Sequence, residues 1–165
     1  MVYDYIVIGS GFGGSVASLR LAEKGYSVLT LEQGKRYNPS DFPKTNWNLP
    51  KYLWVPALRF FGFQKLSFYS TASILSGTGV GGGSLVYANT LYYPPDNFFG
   101  NPSWHRFGDW KKILEPFYDR ASFMLGRKKY SKLNLEDKLL EEVSKDMKAH
   151  DTFESVFVGV NIDGV

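Results

Sequence analysis

The 165-residue chain contains no cysteine. Disulfide bridges, thiolate nucleophiles and cysteine-ligated zinc are therefore excluded, although this alone does not decide the compartment. There are two histidines, His105 and His150, so an imidazole base has few places to stand. No run of roughly 18 apolar residues occurs, and no helix is expected to cross a membrane. An excess of one charge is also lacking: 19 basic and 16 acidic residues leave a scattered net charge of +3. The longest basic cluster, Arg127–Lys129, reads as a solvated face, and no nucleic-acid partner is expected. A hydrophobic share of 44% with 17% aromatics argues against disorder. The length suits one domain with a real core rather than two. Residues 1–8 carry Asp4 and lead straight into glycines, unlike a signal peptide, so the cytoplasm is the expected compartment.

What is present begins with IVIGSGFGGSVA, residues 6–17, where Gly9, Gly11, Gly13 and Gly14 crowd together. Tyr5–Ile8 is aromatic and β-branched throughout, the pattern of a parallel strand buried on both faces. Gly9, Gly11 and Gly14 then fit G-x-G-x-x-G. A helix is expected next, with Gly14, Ala17, Leu21 and Gly25 on one face and Gly25 as its left-handed cap. A second strand follows over Tyr26–Leu31, with Glu32 at its C-terminal end. In this reading Gly9 makes the turn, Gly11 admits a pyrophosphate to the backbone, and Gly14 lets helix touch strand. The helix N-terminus favours the phosphates. Glu32, eighteen residues after Gly14, accepts from ribose hydroxyls and disfavours a ribose phosphate, hence NADP.

A second glycine-rich loop lies in SGTGVGGGSLVYANTLYYPP, residues 76–95. Its free N–H groups could form an anion nest or lie against a flat ring, which suits a cofactor larger than a nicotinamide. Read by itself, the loop fits a structural turn with close backbone packing equally well.

These two stretches carry a resemblance. IVIGSGFGGSVASLRLAEKGYSVLTLEQGKRY resembles the N-terminal FAD-binding segment of the glucose-methanol-choline (GMC) oxidoreductases. GVGGGSLVYANTLYYPP resembles the second signature of that family in its cholesterol-oxidase-like branch, and DFPKTNWNLPKYLW and DWKKILEPFYDRASFMLG are similar to the same branch. The resemblance implies an α/β, Rossmann-like FAD-binding domain with a parallel sheet. It implies FAD as cofactor and oxidation of an alcohol, sterol-like in this branch, by hydride transfer to the flavin. Gly9, Gly11 and Gly14 would meet the pyrophosphate, and Glu32 the adenosine ribose. Gly79, Gly81, Gly82, Gly83 and Ser84 would run beside the flavin and its phosphate arm. Two positions depart from the family pattern: Thr78 replaces a basic residue and Tyr87 an asparagine, leaving Asn89 as the expected flavin contact. A non-catalytic nucleotide-binding module and an NAD-dependent dehydrogenase are the alternatives.

Four segments are expected: a βαβ unit over 1–36, an aromatic-rich connection or lid over 37–75, the flavin loop over 76–95, and helices opening a substrate domain over 96–165. The rings from Trp47 to Tyr69 are expected to pack onto the core, with a lid touching a membrane surface as the sharper alternative. A helix capped by Asp109 is expected to break near Glu115, before Pro116. Another is expected over 134–149, and a strand over 155–162. His105 and His150 read as surface residues, and no catalytic residue or metal ligand is assigned. Two parallel strands need cover on both faces that little else here could supply. The chain is therefore expected to be the N-terminal piece of a protein about three times longer, with an unusually apolar surface.

Overall fold

The computed structural model describes residues 2–160. The chain divides between Ala88 and Asn89 into two compact units. The first opens with β1 (Tyr5–Ile8), α1 (Phe12–Glu23) and β2 (Val28–Leu31). β1 and β2 pair in parallel, from Tyr5 opposite Val28 to Ile8 opposite Leu31. Asp4, the polar residue before β1, accepts at Oδ2 from the Ser27 N–H (2.7 Å) and hydroxyl (2.6 Å), tying the two strand entries together. The Ser27 hydroxyl, more than its N–H, holds the Asp4 carboxyl below its ordinary value. Gly25 follows the helix in the left-handed region (φ +88°), as expected of its cap. The second strand is shorter than expected: it begins at Val28, and Tyr26 before it lies edge-on to the Tyr5 ring at 5.0 Å.

α1 packs against β1 and β2 through its small residues. A Cβ at Gly14 would collide with the Gly9 carbonyl and come within 3.4 Å of Val7 Cγ1. The expectation that β1 is buried on both faces is not met. Side chains alternate along a strand, so with Val7 toward the helix, Ile6 and Ile8 turn away, and they are 61% and 87% exposed.

Residues 37–75 are more regular than the sequence implied. α2 (Leu49–Tyr52) leads into β3 (Trp54–Val55), which pairs antiparallel with β4 (Phe60–Phe61). β5 (Gln64–Phe68) and β6 (Ser73–Gly77) form a five-pair hairpin that delivers the second glycine loop. Phe63 is buried, with the rings of Tyr37, Phe42 and Tyr52 around it at 5.1–6.0 Å. Packing thus accounts for part of the aromatic stretch, whereas Trp47 stands 89% exposed.

The second unit contains α3 (Asp96–Phe99), α4 (Trp110–Met124), β7 (Lys128–Lys129), α5 (Leu135–Asp146) and β8 (Phe157–Val158). Asp109 caps α4 by accepting from the Lys112 N–H at 3.3 Å. α4 runs unbroken through Pro116, contrary to expectation. The carbonyl that loses its partner belongs to Lys112, which is exposed and can be solvated, and full turns on either side carry the helix across. Asn134 and Asp137 exchange side-chain-to-backbone bonds of 2.9 Å, a capping box that starts α5. The expected terminal strand is reduced to β8, antiparallel to β7, and its remainder at Asn161 and Ile162 lies outside the described residues.

The Gly14 contact yields a paired test by thermal unfolding. Gly14→Ala should destabilise by about 1–3 kcal/mol, because its methyl meets backbone that has no room to yield. Gly13→Ala, whose methyl would meet nothing within 4 Å, should stabilise α1 by roughly 0.5–1 kcal/mol.

Candidate functional site: two glycine loops joined at Ser10

β1 and β2 end side by side, which places the turn after Ile8 next to Glu32. The Gly9 N–H donates to the Leu31 carbonyl at 2.7 Å, closing the turn against the neighbouring strand. Gly11 then caps α1 with no side-chain hydrogen bond, and the first helical turn carries no acidic residue. The N-terminal end of the helix dipole is therefore left for an anion.

Glu32 is gathered into this turn. Its Oε2 accepts from the Ser10 N–H (2.9 Å) and the Ser10 hydroxyl (2.8 Å), and its Oε1 from the Gly34 N–H (3.1 Å). Burial is the largest single influence on its charge and opposes it. The donors at Ser10, Gly34 and Gln33 together outweigh burial and hold the carboxyl below its ordinary value of 4.5.

The second loop lies against the first. The Gly81 N–H donates to Ser10 Oγ at 3.1 Å across 71 residues. Gly82 sits at φ +53°, and a Cβ there would come within 2.8 Å of Gly11 Cα. A Cβ at Gly83 would stand 3.0 Å from the Phe12 ring. Gly79 is enclosed by Gly34, Tyr37 and Lys35. The Ser84 hydroxyl donates to the Gly81 carbonyl at 3.0 Å. Of the residues singled out from sequence, Gly9, Gly11, Gly14, Glu32, Gly79, Gly81, Gly82, Gly83 and Ser84 lie in the first unit, around this junction. Asn89, at φ +57°, belongs to the second unit.

Gly11 tests whether the cradle suits a ligand. Its φ is −66°, open to any residue, and a Cβ there would touch nothing within 4 Å. Neither backbone strain nor packing within the chain requires glycine, so the space beside it suits a group that comes to the backbone. A dinucleotide pyrophosphate at a helix N-terminus is such a group.

Sequence reasoning missed Ser10, which occupies the unspecified position of G-x-G and leaves no pattern. Thr78 stood out in the sequence only as a departure from the family pattern. This residue is fully buried, its N–H bonds the Phe63 carbonyl at 2.8 Å, and its hydroxyl has no hydrogen-bond partner. His105 and His150 are exposed in the second unit. That unit also holds a cavity of about 170 Å³ lined by Leu91, Tyr92, Tyr93, Tyr118, Ala121, Ser122, Leu125 and Arg127. The lining has no carboxylate or imidazole to take a proton. Among the described residues, no helix is long and apolar enough to cross a membrane, and no cluster of metal-ligating residues occurs.

The paired strands, the glycine turn and the terminal acid define a Rossmann-like, nucleotide-binding α/β protein. Consistently, residues 7–37 match the NAD(P)-binding Rossmann-like domain. The chain is 47% identical over 158 residues to the cholesterol oxidase of Mycobacterium tuberculosis H37Rv, covering 96% of this chain and 27% of that protein. It is 46% identical over 124 residues to the cholesterol oxidase of Acinetobacter baumannii, covering 75% and 22% respectively. It is 30% identical over 97 residues to a GMC-type oxidoreductase of M. tuberculosis H37Rv, covering 55% and 14%. The chain is a homologue of the cholesterol oxidases and other GMC-type oxidoreductases, and it spans about a quarter of the length of these cholesterol oxidases.

The Glu32 arrangement fixes the sign of a pH effect. A carboxyl lowered by folding contributes stability that is fully present above its unfolded value and is lost as pH falls through its lower folded value. Glu32→Gln should therefore flatten part of the acid limb in urea midpoints measured against pH. Identical acid limbs in both proteins would exclude the donor arrangement at Glu32.

Proposed function

We propose that the chain is the FAD-binding part of an oxidoreductase that oxidises an alcohol, with a sterol-like 3-hydroxyl as the substrate. The observation that carries this reading is the contact between the loops at Gly11 and Gly82. A dinucleotide fold needs the first loop alone, and a second side-chain-free backbone pressed against it suits a longer cofactor with a flat ring. Gly9 and Gly11, with the N-terminus of α1, would hold the pyrophosphate. Glu32 would accept from the adenosine ribose. Gly81, Gly82, Gly83 and Ser84 would lie along the flavin arm, with Gly79 behind them. Bound FAD supplies a hydride acceptor. The chain's own residues would bind and orient it, with the open space beside Gly11 letting the ligand reach the backbone at the start of α1.

The sterol assignment rests on the relatives, two of which are cholesterol oxidases. The base that takes the alcohol proton is proposed to come from outside residues 1–165. The match to an NAD(P)-binding domain model favours a nicotinamide as the second reading, and the Gly81–Gly83 backbone against Gly11 weighs for the flavin.

The experiment is cofactor reconstitution of the full-length protein. A yellow protein holding one FAD, with NAD failing to compete, is expected. Gly11→Val should abolish FAD retention, because its side chain fills the space meant for the pyrophosphate. Retention of NAD in place of FAD would overturn the flavin reading. Oxidation of a sterol alcohol by the wild-type protein tests the substrate, and turnover of long-chain but not sterol alcohols would reassign it.

A further inference from the structure

The Ser10 hydroxyl makes two hydrogen bonds with opposite roles. It donates to Glu32 Oε2 at 2.8 Å and accepts from the Gly81 N–H at 3.1 Å. Its own N–H also donates to Glu32 Oε2, and its carbonyl accepts from the Ser15 hydroxyl at 2.7 Å. The residue is 8% exposed, so its side chain cannot readily turn to water instead.

We propose that Ser10 is a positioning residue of the dinucleotide site, its hydroxyl coupling the orientation of Glu32 to the placement of the Gly81–Gly83 loop. This inference rests on the dinucleotide reading above and deepens it. The relay runs from the Gly81 N–H through Ser10 Oγ to Glu32 Oε2. Such a chain polarises along its length, so each bond strengthens the next. The ionised carboxylate favours the arrangement because it accepts and never donates. Glu32 is then held ready for ribose hydroxyls, and the second loop is held against Gly11, before any ligand arrives. Pre-ordering of this kind lowers the entropy that binding must otherwise spend. A hydroxyl on a single carbon has the reach and both roles. Alanine has neither, and a thiol of similar size is a weak donor and a weak acceptor.

The test measures FAD affinity of the full-length protein by quenching of flavin fluorescence across acid to neutral pH. Ser10→Ala should bind FAD about tenfold more weakly, the scale of a hydrogen bond to a charged group. The acid limb of its affinity profile should move to higher pH, because Glu32 has lost a donor that favours its charge. A residue that merely filled space would leave that limb where it is. Ser10→Cys, which keeps the volume, carries the same comparison if Ser10→Ala does not fold. In a Glu32→Gln background, Ser10→Ala should cost less affinity than in the wild type, since the two residues act as a unit.

Affinity within twofold of wild type with an unmoved acid limb overturns the positioning role. Equal losses in both backgrounds overturn it as well. In either case the dinucleotide reading stands, because wild-type binding is measured beside the variants. Wild-type protein that takes up no FAD overturns the flavin reading, and the Ser10 role falls with it.

Discussion

The contact between Gly11 and Gly82 is the constraint on which the rest of the first unit depends. Two backbones approach so closely that a methyl group on Gly82 would fall within 2.8 Å of Gly11 Cα. That approach needs both loops to be delivered to one place. β1 and β2 deliver the first loop together with Glu32, and the hairpin of β5 and β6 delivers the second. The same crowding recurs one step back, where a Cβ at Gly77 would collide with the Gly82 carbonyl and a Cβ at Gly34 would stand 2.6 Å from Gly79 N. Glycine here serves mutual approach of main chain as much as turn geometry. The gain in packing must outweigh the conformational entropy that each glycine loses on ordering.

Polar ties hold this junction in register. Ser10 lies between Glu32 and Gly81, and the Val80 N–H donates to the Lys35 carbonyl at 3.1 Å, joining the loop to the segment after β2. Glu32 therefore has a structural task before any ligant-directed one would begin: it satisfies the N–H groups of Ser10 and Gly34 that the turn leaves behind. One carboxylate can do both, since its two oxygens offer about four acceptor sites. The lowered carboxyl of Glu32 reports the first task, because the donors responsible all belong to the chain itself.

The βαβ unit was legible because each of its features is local. Strand composition, glycine spacing, the Gly25 cap and the terminal acid all fall within residues 5–32. The capped starts of α4 at Asp109 and α5 at Asn134 were legible for the same reason. The β5–β6 hairpin was not, since Gln64–Phe68 alternates weakly and its partner Ser73–Gly77 is recognisable only once paired. Pro116 does not end α4, because the turns on either side carry the helix across it, and a single residue does not reveal that. Ser10 was hidden for a different reason. Its partners lie 22 and 71 residues away, and nothing in the local pattern G-x-G distinguishes a serine that bridges from one that points to water.

The balance of forces gives these polar ties unusual weight. Among the described residues, Phe63, Phe99 and Val158 are the buried hydrophobic side chains, while Ile6, Ile8 and Leu31 on the parallel strands remain exposed. Burial stabilises by roughly 25 cal/mol per Å² of apolar surface removed from water, so strands left open on one face draw little from it. Hydrogen bonds that cross the chain at long range then decide more of where the loops sit than they would in a fully covered sheet. A ligand that binds the ordered loops stabilises them further by mass action, in proportion to the logarithm of its concentration over its dissociation constant. On the proposed reading, a bound dinucleotide would in this way become a source of the junction's stability. The contact of Gly11 with Gly82 is where loop order and ligand occupancy would then be coupled.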